Sequence, residues 1–167
     1  MPEEAVEAPP PQPKPVAIAD VATAIRNAGD SGRRVAVIGA ARNAGTTLTA
    51  IALARALARN ARTVAVDLSV ASPNLDVVAA DPSAPGLAEL IRGQASFSDV
   101  ITKDRSSRLH VVAAGQIGPD VNGFLGSHML APAIDTLAQS YDYLVVRSEE
   151  HTSELLSRLH LVCRLLL

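Results

Sequence analysis

Apolar residues follow two rhythms along this chain. Short, nearly unbroken apolar runs occupy residues 34–38, 63–67, 109–113 and 141–146, and between them apolar positions recur at helical spacing. Continuous apolarity over about five residues is the pattern of a strand covered on both faces, the usual condition of a parallel sheet. The helical rhythm is clear at 18–25, where Ile18, Val21, Ala22 and Ile25 share one side and Gly29 follows as a stop. It recurs at 47–59, where strong helix formers place Leu48, Ile51, Ala52 and Leu57 on one expected apolar face, with Asn60 as C-cap. Short helices are expected over 86–92 and 98–101, and a longer one over 127–139. Strand, helix and strand in this order make a right-handed βαβ unit, so the expected fold class is α/β with a parallel sheet.

Both rhythms stop at the chain's ends. Residues 1–15 hold Pro2, Pro9, Pro10, Pro11, Pro13 and Pro15 with Glu3, Glu4 and Glu7, a composition that favours extended polyproline II and builds no core. From Arg147 onward the text resembles the conceptual translation of a common sequencing-library adapter read through in frame, and such a segment is set aside in reasoning about a fold. The domain reading is therefore an acidic, Pro-rich linker at 1–15, a partial α/β domain at 16–146, and a foreign tail at 147–167. On this reading the fold is truncated on its C-terminal side, in or just after a strand, with sheet edge and apolar surface left uncovered.

Composition narrows the function classes. Hydrophobic residues make up 48% of the 167, ample for a core. Lys and Arg number 15 against 17 Asp and Glu, for a net charge of −2, and the charges are scattered, so no basic face calls for nucleic acid or anionic lipid. The single cysteine, Cys163, falls in the tail, which leaves no disulfide framework and no Cys-based metal site. No apolar run approaches the ~20 residues of a membrane helix, and the N-terminus lacks the basic and apolar regions of a secretion signal. His110 and His128 have no second ligand at metal spacing and read as structural.

Chemistry concentrates at Gly39-Ala40-Ala41-Arg42-Asn43-Ala44-Gly45-Thr46-Thr47, between the first strand and the helix at 47–59. In a P-loop, small residues let backbone amides curl around phosphate, a Lys reaches the β- and γ-phosphates, and the next Ser or Thr holds Mg²⁺. Gly45 and Thr47 stand in place, but Thr46 occupies the Lys position. Candidate nucleotide-binding residues are Ala40, Ala41, Arg42, Asn43, Ala44, Gly45, Thr46 and Thr47. Arg42 either bends inward to replace the missing charge or serves as an exposed solubilising residue. Thr47 is a metal ligand or a plain N-cap. Asp67, at the C-terminal end of a strand, sits where α/β proteins bind ligands, although a turn-capping Asp is also common there. A dinucleotide-binding oxidoreductase fits less well: G-x-G-x-x-G needs glycines at Ala41 and Ala44, and Asp67 lies beyond the usual ~20-residue spacing.

Several stretches taken together carry a resemblance. The degenerate loop is followed by Val66-Asp67-Leu68-Ser69-Val70-Ala71-Ser72-Pro73, by Gly86-Leu87-Ala88-Glu89-Leu90-Ile91-Arg92-Gly93 with Ser98-Asp99-Val100-Ile101, by Leu109-His110-Val111-Val112-Ala113-Ala114-Gly115, and by Tyr141-Asp142-Tyr143. Over about residues 33–146 this resembles the cytoplasmic domain of bacterial tyrosine autokinases of exopolysaccharide export, within the MinD/ParA-like P-loop class. The resemblance implies a three-layer αβα, P-loop NTPase-like fold, ATP or ADP with Mg²⁺ as cofactors, a membrane polysaccharide co-polymerase on the same or a separate chain as partner, and homo-oligomers. It implies a cytoplasmic place at the inner face of the bacterial inner membrane. Thr47 and Asp67 would be its Mg²⁺-site residues, with Asp67 also the catalytic carboxylate. Thr46 for the Lys, Ser69 for a second carboxylate and Ala71 for an Arg are departures, and Arg147 stands near the place of the Walker B acid.

A hydrogen bond to a charged group contributes ~1.5–3 kcal/mol, so loss of the Lys weakens binding by roughly ten- to a hundredfold, while transition-state stabilisation loses more. The expectation is a catalytically impaired nucleotide-binding domain that regulates exopolysaccharide polymerisation or export, with a nucleotide-free scaffold on the same fold as the alternative. The tyrosine cluster that such kinases carry near the C-terminus does not occur in this text.

Overall fold

The computed structural model describes residues 16–39, 45–149 and 163–166. Strands β1 (Arg34–Gly39), β2 (Thr63–Asp67), β3 (Ile101–Lys103), β4 (His110–Val112), β5 (Tyr143–Glu149) and β6 (Cys163–Leu166) form one sheet in the order β3-β4-β2-β5-β1-β6. Every neighbouring pair is parallel except β3 with β4. Helices α1 (Ile18–Asn27), α2 (Thr46–Ala58), α3 (Leu87–Ile91), α4 (Phe97–Val100), α5 (Val121–Leu125) and α6 (Leu130–Ser140) cover its two faces.

The unbroken apolar runs have the expected meaning. Successive strand residues point to opposite faces, so a strand sandwiched between helices needs apolar side chains at every position. Ala36, Ile38, Val64, Val66, Leu144 and Val146 face Leu87, Phe124, Leu130, Ile134 and Leu137 from the helices α3, α5 and α6. Val35, Val37, Ala65, Val111 and Val145 face Ala22 and Ile25 of α1 and Ile51, Leu53, Ala54 and Leu57 of α2. The result is the three-layer αβα arrangement. Each fully buried Leu contributes ~1.5–3 kcal/mol relative to exposure, and Leu53, Leu57, Leu87, Leu109, Leu130, Leu137 and Leu144 are all fully buried.

Some elements depart from the expected pattern. Leu48 is 75% exposed and Ala52 is also exposed. At 3.6 residues per turn both lie on the far side of α2 from Ala54 and Leu57, and the buried face is made instead by Ala50, Ile51, Leu53, Ala54, Leu57 and Ala58. Tyr141 is the C-cap of α6 rather than the start of a strand, and β5 begins at Tyr143. The short helix α5 was hidden by Gly123, whose amide donates to the capping Asp120 carboxylate at 2.8 Å. Strand β3, three residues on the sheet edge, is too short to show a period. Beyond Val146 the structure continues β5 through Arg147, Ser148 and Glu149, and β6 lies beside β1.

Two ion pairs tie the layers together. Arg55 of α2 makes a bidentate contact with Asp104, just after β3, at 2.8 and 2.9 Å. Arg34 at the start of β1 pairs with Asp135 of α6 at 2.7 Å. No helix among the described residues is long and apolar enough to cross a membrane.

Candidate functional site

Strands β1, β2 and β5 run parallel, so their C-terminal ends open on one edge of the sheet. This edge is where α/β folds gather ligands. β1 ends at Gly39 and α2 begins at Thr46, preceded by Gly45 in the left-handed region at φ 75°. Glycine carries that φ without steric cost, whereas a β-branched residue there would be strained. The first intrahelical bond runs from the Thr49 amide to the Gly45 carbonyl at 3.0 Å, and no side chain among the described residues caps the amides ahead of it. First-turn amides with no side-chain partner among the described residues, together with the positive end of the helix dipole, suit a phosphate or carboxylate.

Asp67 closes β2 beside this helix end. It is fully buried, and its two oxygens accept the amides of Ser69 at 3.0 Å, Asn74 at 3.0 Å and Leu75 at 3.1 Å. Thr47 Oγ1 donates to Asn74 Oδ1 at 3.0 Å, so Asn74 links the start of α2 to the turn that Asp67 organises. Asn74 had no role in the sequence reading; its place one residue after Pro73 is a turn signal but does not reveal the link to Thr47.

Directly opposite Asp67 in the β2–β5 register stands Arg147. Its Nη1 donates to Asp67 Oδ1 at 3.1 Å, to Oδ2 at 3.2 Å and to the Ser72 carbonyl at 3.0 Å. Its Nε is buried with no hydrogen-bond partner, the only such side-chain atom among the described residues. Burial pushes the Asp67 carboxyl above its ordinary value, and Arg147 and the three amides offset only part of that rise. All of its partners are donors, so the ionised form fits this setting.

These residues do not suit a Mg²⁺ ion bound through Asp67. The carboxylate is saturated by three amides and a guanidinium, and a divalent cation there would lie against the positive charge of Arg147. An anionic phosphate suits the place better, because no side chain among the described residues takes the amides at the start of α2.

A cleft of about 620 Å³ extends from Asp67 and Asn74 across to Glu89, Gly115 and Gln116. Its far wall is held by Glu89, whose carboxylate accepts the Gly86 amide at 2.7 Å and the Gln116 amide at 2.8 Å. One side chain thus caps α3 and fixes the loop after β4. A Cβ on Gly86 would collide with the backbone of Gly115 and Ala113, so this approach requires glycine. The spacing of Gly86 and Glu89 is a helix-start signal legible in the sequence; the second bond, to Gln116, is not.

Of the predicted site residues, the structure brings Gly45, Thr46, Thr47 and Asp67 to this edge. Ala40, Ala41, Arg42, Asn43 and Ala44 lie outside the described residues. Ser69 is buried, with its amide on Asp67. His110 sits at the opposite end of the sheet, with Nδ1 2.6 Å from the Tyr141 hydroxyl. Among the described residues no group of three or more His, Cys, Asp or Glu side chains could hold a metal.

No family model matches the chain. The succinoglycan biosynthesis transport protein ExoP of Rhizobium meliloti is 28% identical over 123 residues, covering 71% of this chain and 16% of ExoP. CapB of Staphylococcus aureus, named as a tyrosine-protein kinase, is 27% identical over 85 residues, covering 51% of this chain and 37% of CapB. The crystal structure of the chimerical protein CapA2B2 superposes with a TM-score of 0.75 at 25% identity, covering 85% of this chain and 66% of that one. Its structural neighbours include bacterial tyrosine-kinase domains, among them those of VpsO, BceF and the Escherichia coli tyrosine kinase ETK. Its fold is that of the MinD/ParA-like P-loop NTPases: the septum site-determining protein MinD of Pyrococcus horikoshii, solved with Mg-ADP, superposes at a TM-score of 0.54 and 21% identity over 68% of this chain and 47% of MinD. The chain spans well under half the length of the two curated relatives it matches.

Proposed function

We propose that this chain is the nucleotide-binding part of a tyrosine-autokinase-like domain that regulates polymerisation or export of an exopolysaccharide, and that it transfers phosphate poorly or not at all. The observation that carries the reading is the start of α2: Gly45 left-handed, Thr46 and Thr47 following, open amides, and Asp67 at the adjoining strand end. That geometry receives an anionic phosphate chain. Kinship to ExoP, a succinoglycan transport protein, and to CapB supports the polysaccharide context.

Binding and catalysis separate on charge. The helix amides suffice to hold a phosphate, but Thr46 supplies no cation to the β- and γ-phosphates, and Ser69 supplies no second carboxylate. Interactions that strengthen only in the transition state are the ones missing. In this reading Ala40, Ala41, Arg42, Asn43, Ala44, Gly45, Thr46 and Thr47 are the nucleotide-binding residues, the Pro-rich residues 1–15 are the tether toward a membrane co-polymerase, and the domain works at the inner face of the membrane.

The segment from Arg147 is, in the same proposal, foreign to the protein. Its likeness to adapter translation is joined by a physical misfit: a long guanidinium forced into a buried position, with Nε unsatisfied. A carboxylate at 147 would leave Thr47 and Asp67 available as Mg²⁺-site residues. If Arg147 is native, its pair with Asp67 favours the scaffold reading, because it fills the place of the metal. The test is incubation of the full chain with γ-labelled ATP beside an equilibrium-dialysis measurement of ATP binding. Bound ATP with no labelled protein is the expected result; absence of binding at several millimolar ATP overturns the proposal.

A further inference from the structure

The end of the sheet remote from Asp67 carries a second cavity, of about 580 Å³, with a chemistry of its own. It lies where β2, β4 and β5 begin and β3 ends, among the segments 60–63, 103–110 and 141–142. Arg62, Lys103 and Arg108 line it, with Asp142 as the only carboxylate and with His110 and Tyr141 adjoining.

The balance of charge here is unusual for a chain that is acidic overall. Asp142 is already engaged: one oxygen accepts the Arg62 amide at 2.8 Å and the other lies 3.6 Å from the Arg62 guanidinium. Asp104, the acid nearest in sequence to Lys103, has a fully buried side chain locked to Arg55, and the Ser107 hydroxyl also donates to it. It offers little field to the cavity. Lys103 and Arg108 make no ion pair or side-chain hydrogen bond with any described residue. Two uncompensated cations thus face one cavity, and a concave, partly apolar wall strengthens their combined field relative to open surface.

The His110 and Tyr141 pair adds directed donors. Their rings meet edge to face, with centroids 5.5 Å apart at 80°. Burial, and then the nearby Lys103 charge, hold His110 below its ordinary pKa, which favours the neutral imidazole. In the tautomer whose Nδ1 accepts the Tyr141 hydroxyl, the imidazole proton lies on Nε2, which has no partner among the described residues; in the other tautomer Nδ1 donates to the Tyr141 oxygen and Nε2 is an acceptor.

We infer that this cavity is a binding site for a phosphomonoester, held by Lys103, Arg108 and Arg62 with His110 in its wall. The surplus of two positive charges matches a phosphomonoester dianion, where a carboxylate would satisfy only one. The cavity is large enough to take a sugar-sized body besides the phosphate. Its position on the far side of the sheet makes it separate from the cleft at α2.

The test follows the His110 ring resonances of the full chain by NMR during titration with inorganic phosphate, with glucose 6-phosphate and with glucose. The α2 site also attracts phosphate, so the titrations are repeated with Lys103→Ser/Arg108→Ser and with Gly45→Val. Both Lys103 and Arg108 are exposed, so an unchanged melting temperature is expected for the double variant. A saturable His110 shift with glucose 6-phosphate, absent with glucose, about tenfold or more weaker in the double variant and retained in Gly45→Val, supports the site. An equal response to inorganic phosphate supports it as a site for the phosphate group alone, and a tighter response to the sugar phosphate names the organic ester. A motionless His110 resonance, or equal affinity in the double variant, overturns the inference.

Discussion

Removal of Asp104 offers a quantitative test of how the helical layer is fastened to the sheet edge. The Asp104 side chain is fully buried and accepts Arg55 Nε at 2.9 Å, Arg55 Nη2 at 2.8 Å and the Ser107 hydroxyl. Hydrogen bonds involving a charged partner contribute ~1.5–3 kcal/mol each, and breaking a fully buried pair costs ~3–5 kcal/mol. Arg55 retains 35% side-chain exposure, so water recovers part of its solvation and the lower end applies. Asp104→Ala is therefore expected to lose about 2–3 kcal/mol in urea unfolding at pH 7, and Asp104→Asn somewhat less. The pH dependence supplies a second check. Burial alone would raise the Asp104 carboxyl, but the Arg55 and Ser107 hydrogen bonds and the Arg55 charge hold it below its ordinary value. A depressed carboxylate stabilises the fold above its unfolded pKa and ceases to do so as pH falls through the folded one, so this contribution is complete at neutral pH and disappears in the acid range below about pH 4. Asp104→Asn should flatten that part of the stability profile. A loss under ~0.5 kcal/mol at pH 7, together with an unchanged acid profile, would refute the reasoning.

Other consequences concern the site and its supports. Thr46→Lys returns a cation to the loop and should tighten ADP binding by roughly ten- to a hundredfold in calorimetry, with unchanged affinity counting against the phosphate assignment. With Arg147 present, ADP affinity should be the same in Mg²⁺ and in EDTA; a strong Mg²⁺ requirement would show that Arg147 does not fill the metal's place. Glu89→Ala releases both α3 and the loop at Gln116, and should cost about 1–3 kcal/mol in urea unfolding, whereas a neutral effect would remove Glu89 from the site's frame. Long-read sequencing of the source gene across codons 140–170 should replace the Arg147 codon with one for a carboxylate; recovery of the printed tail would end the foreign-segment proposal.

The parts of the fold readable from the chain are those where one physical requirement dominates. Strands buried on both faces must be apolar throughout, so β1, β2 and the core of β5 showed themselves, as did α1 with its single buried seam at Ala22 and Ile25. Pattern failed where tertiary packing chooses the face. The Ala-rich α2 offers apolar side chains on almost every side, and only the sheet and α1 decide that Ala54 is buried and Leu48 exposed. Elements of three to five residues, such as β3 and α5, carry too few positions to display a period. At the site, Gly45, Thr47 and Asp67 stood out because a phosphate loop and a strand end each ask for those residue types at set places, and the structure brings the three to one edge of the sheet. The Thr47–Asn74 bond, the Asp67–Arg147 pair and the second cavity join residues far apart in sequence, and neither spacing nor composition encodes such meetings.

The most direct test of the central claim is isothermal titration of the full chain with ADP. The open amides at the start of α2 predict saturable one-site binding with a Kd of up to about a millimolar, abolished in Gly45→Val. The absence of heat at several millimolar ADP, or the same binding in Gly45→Val, would contradict it.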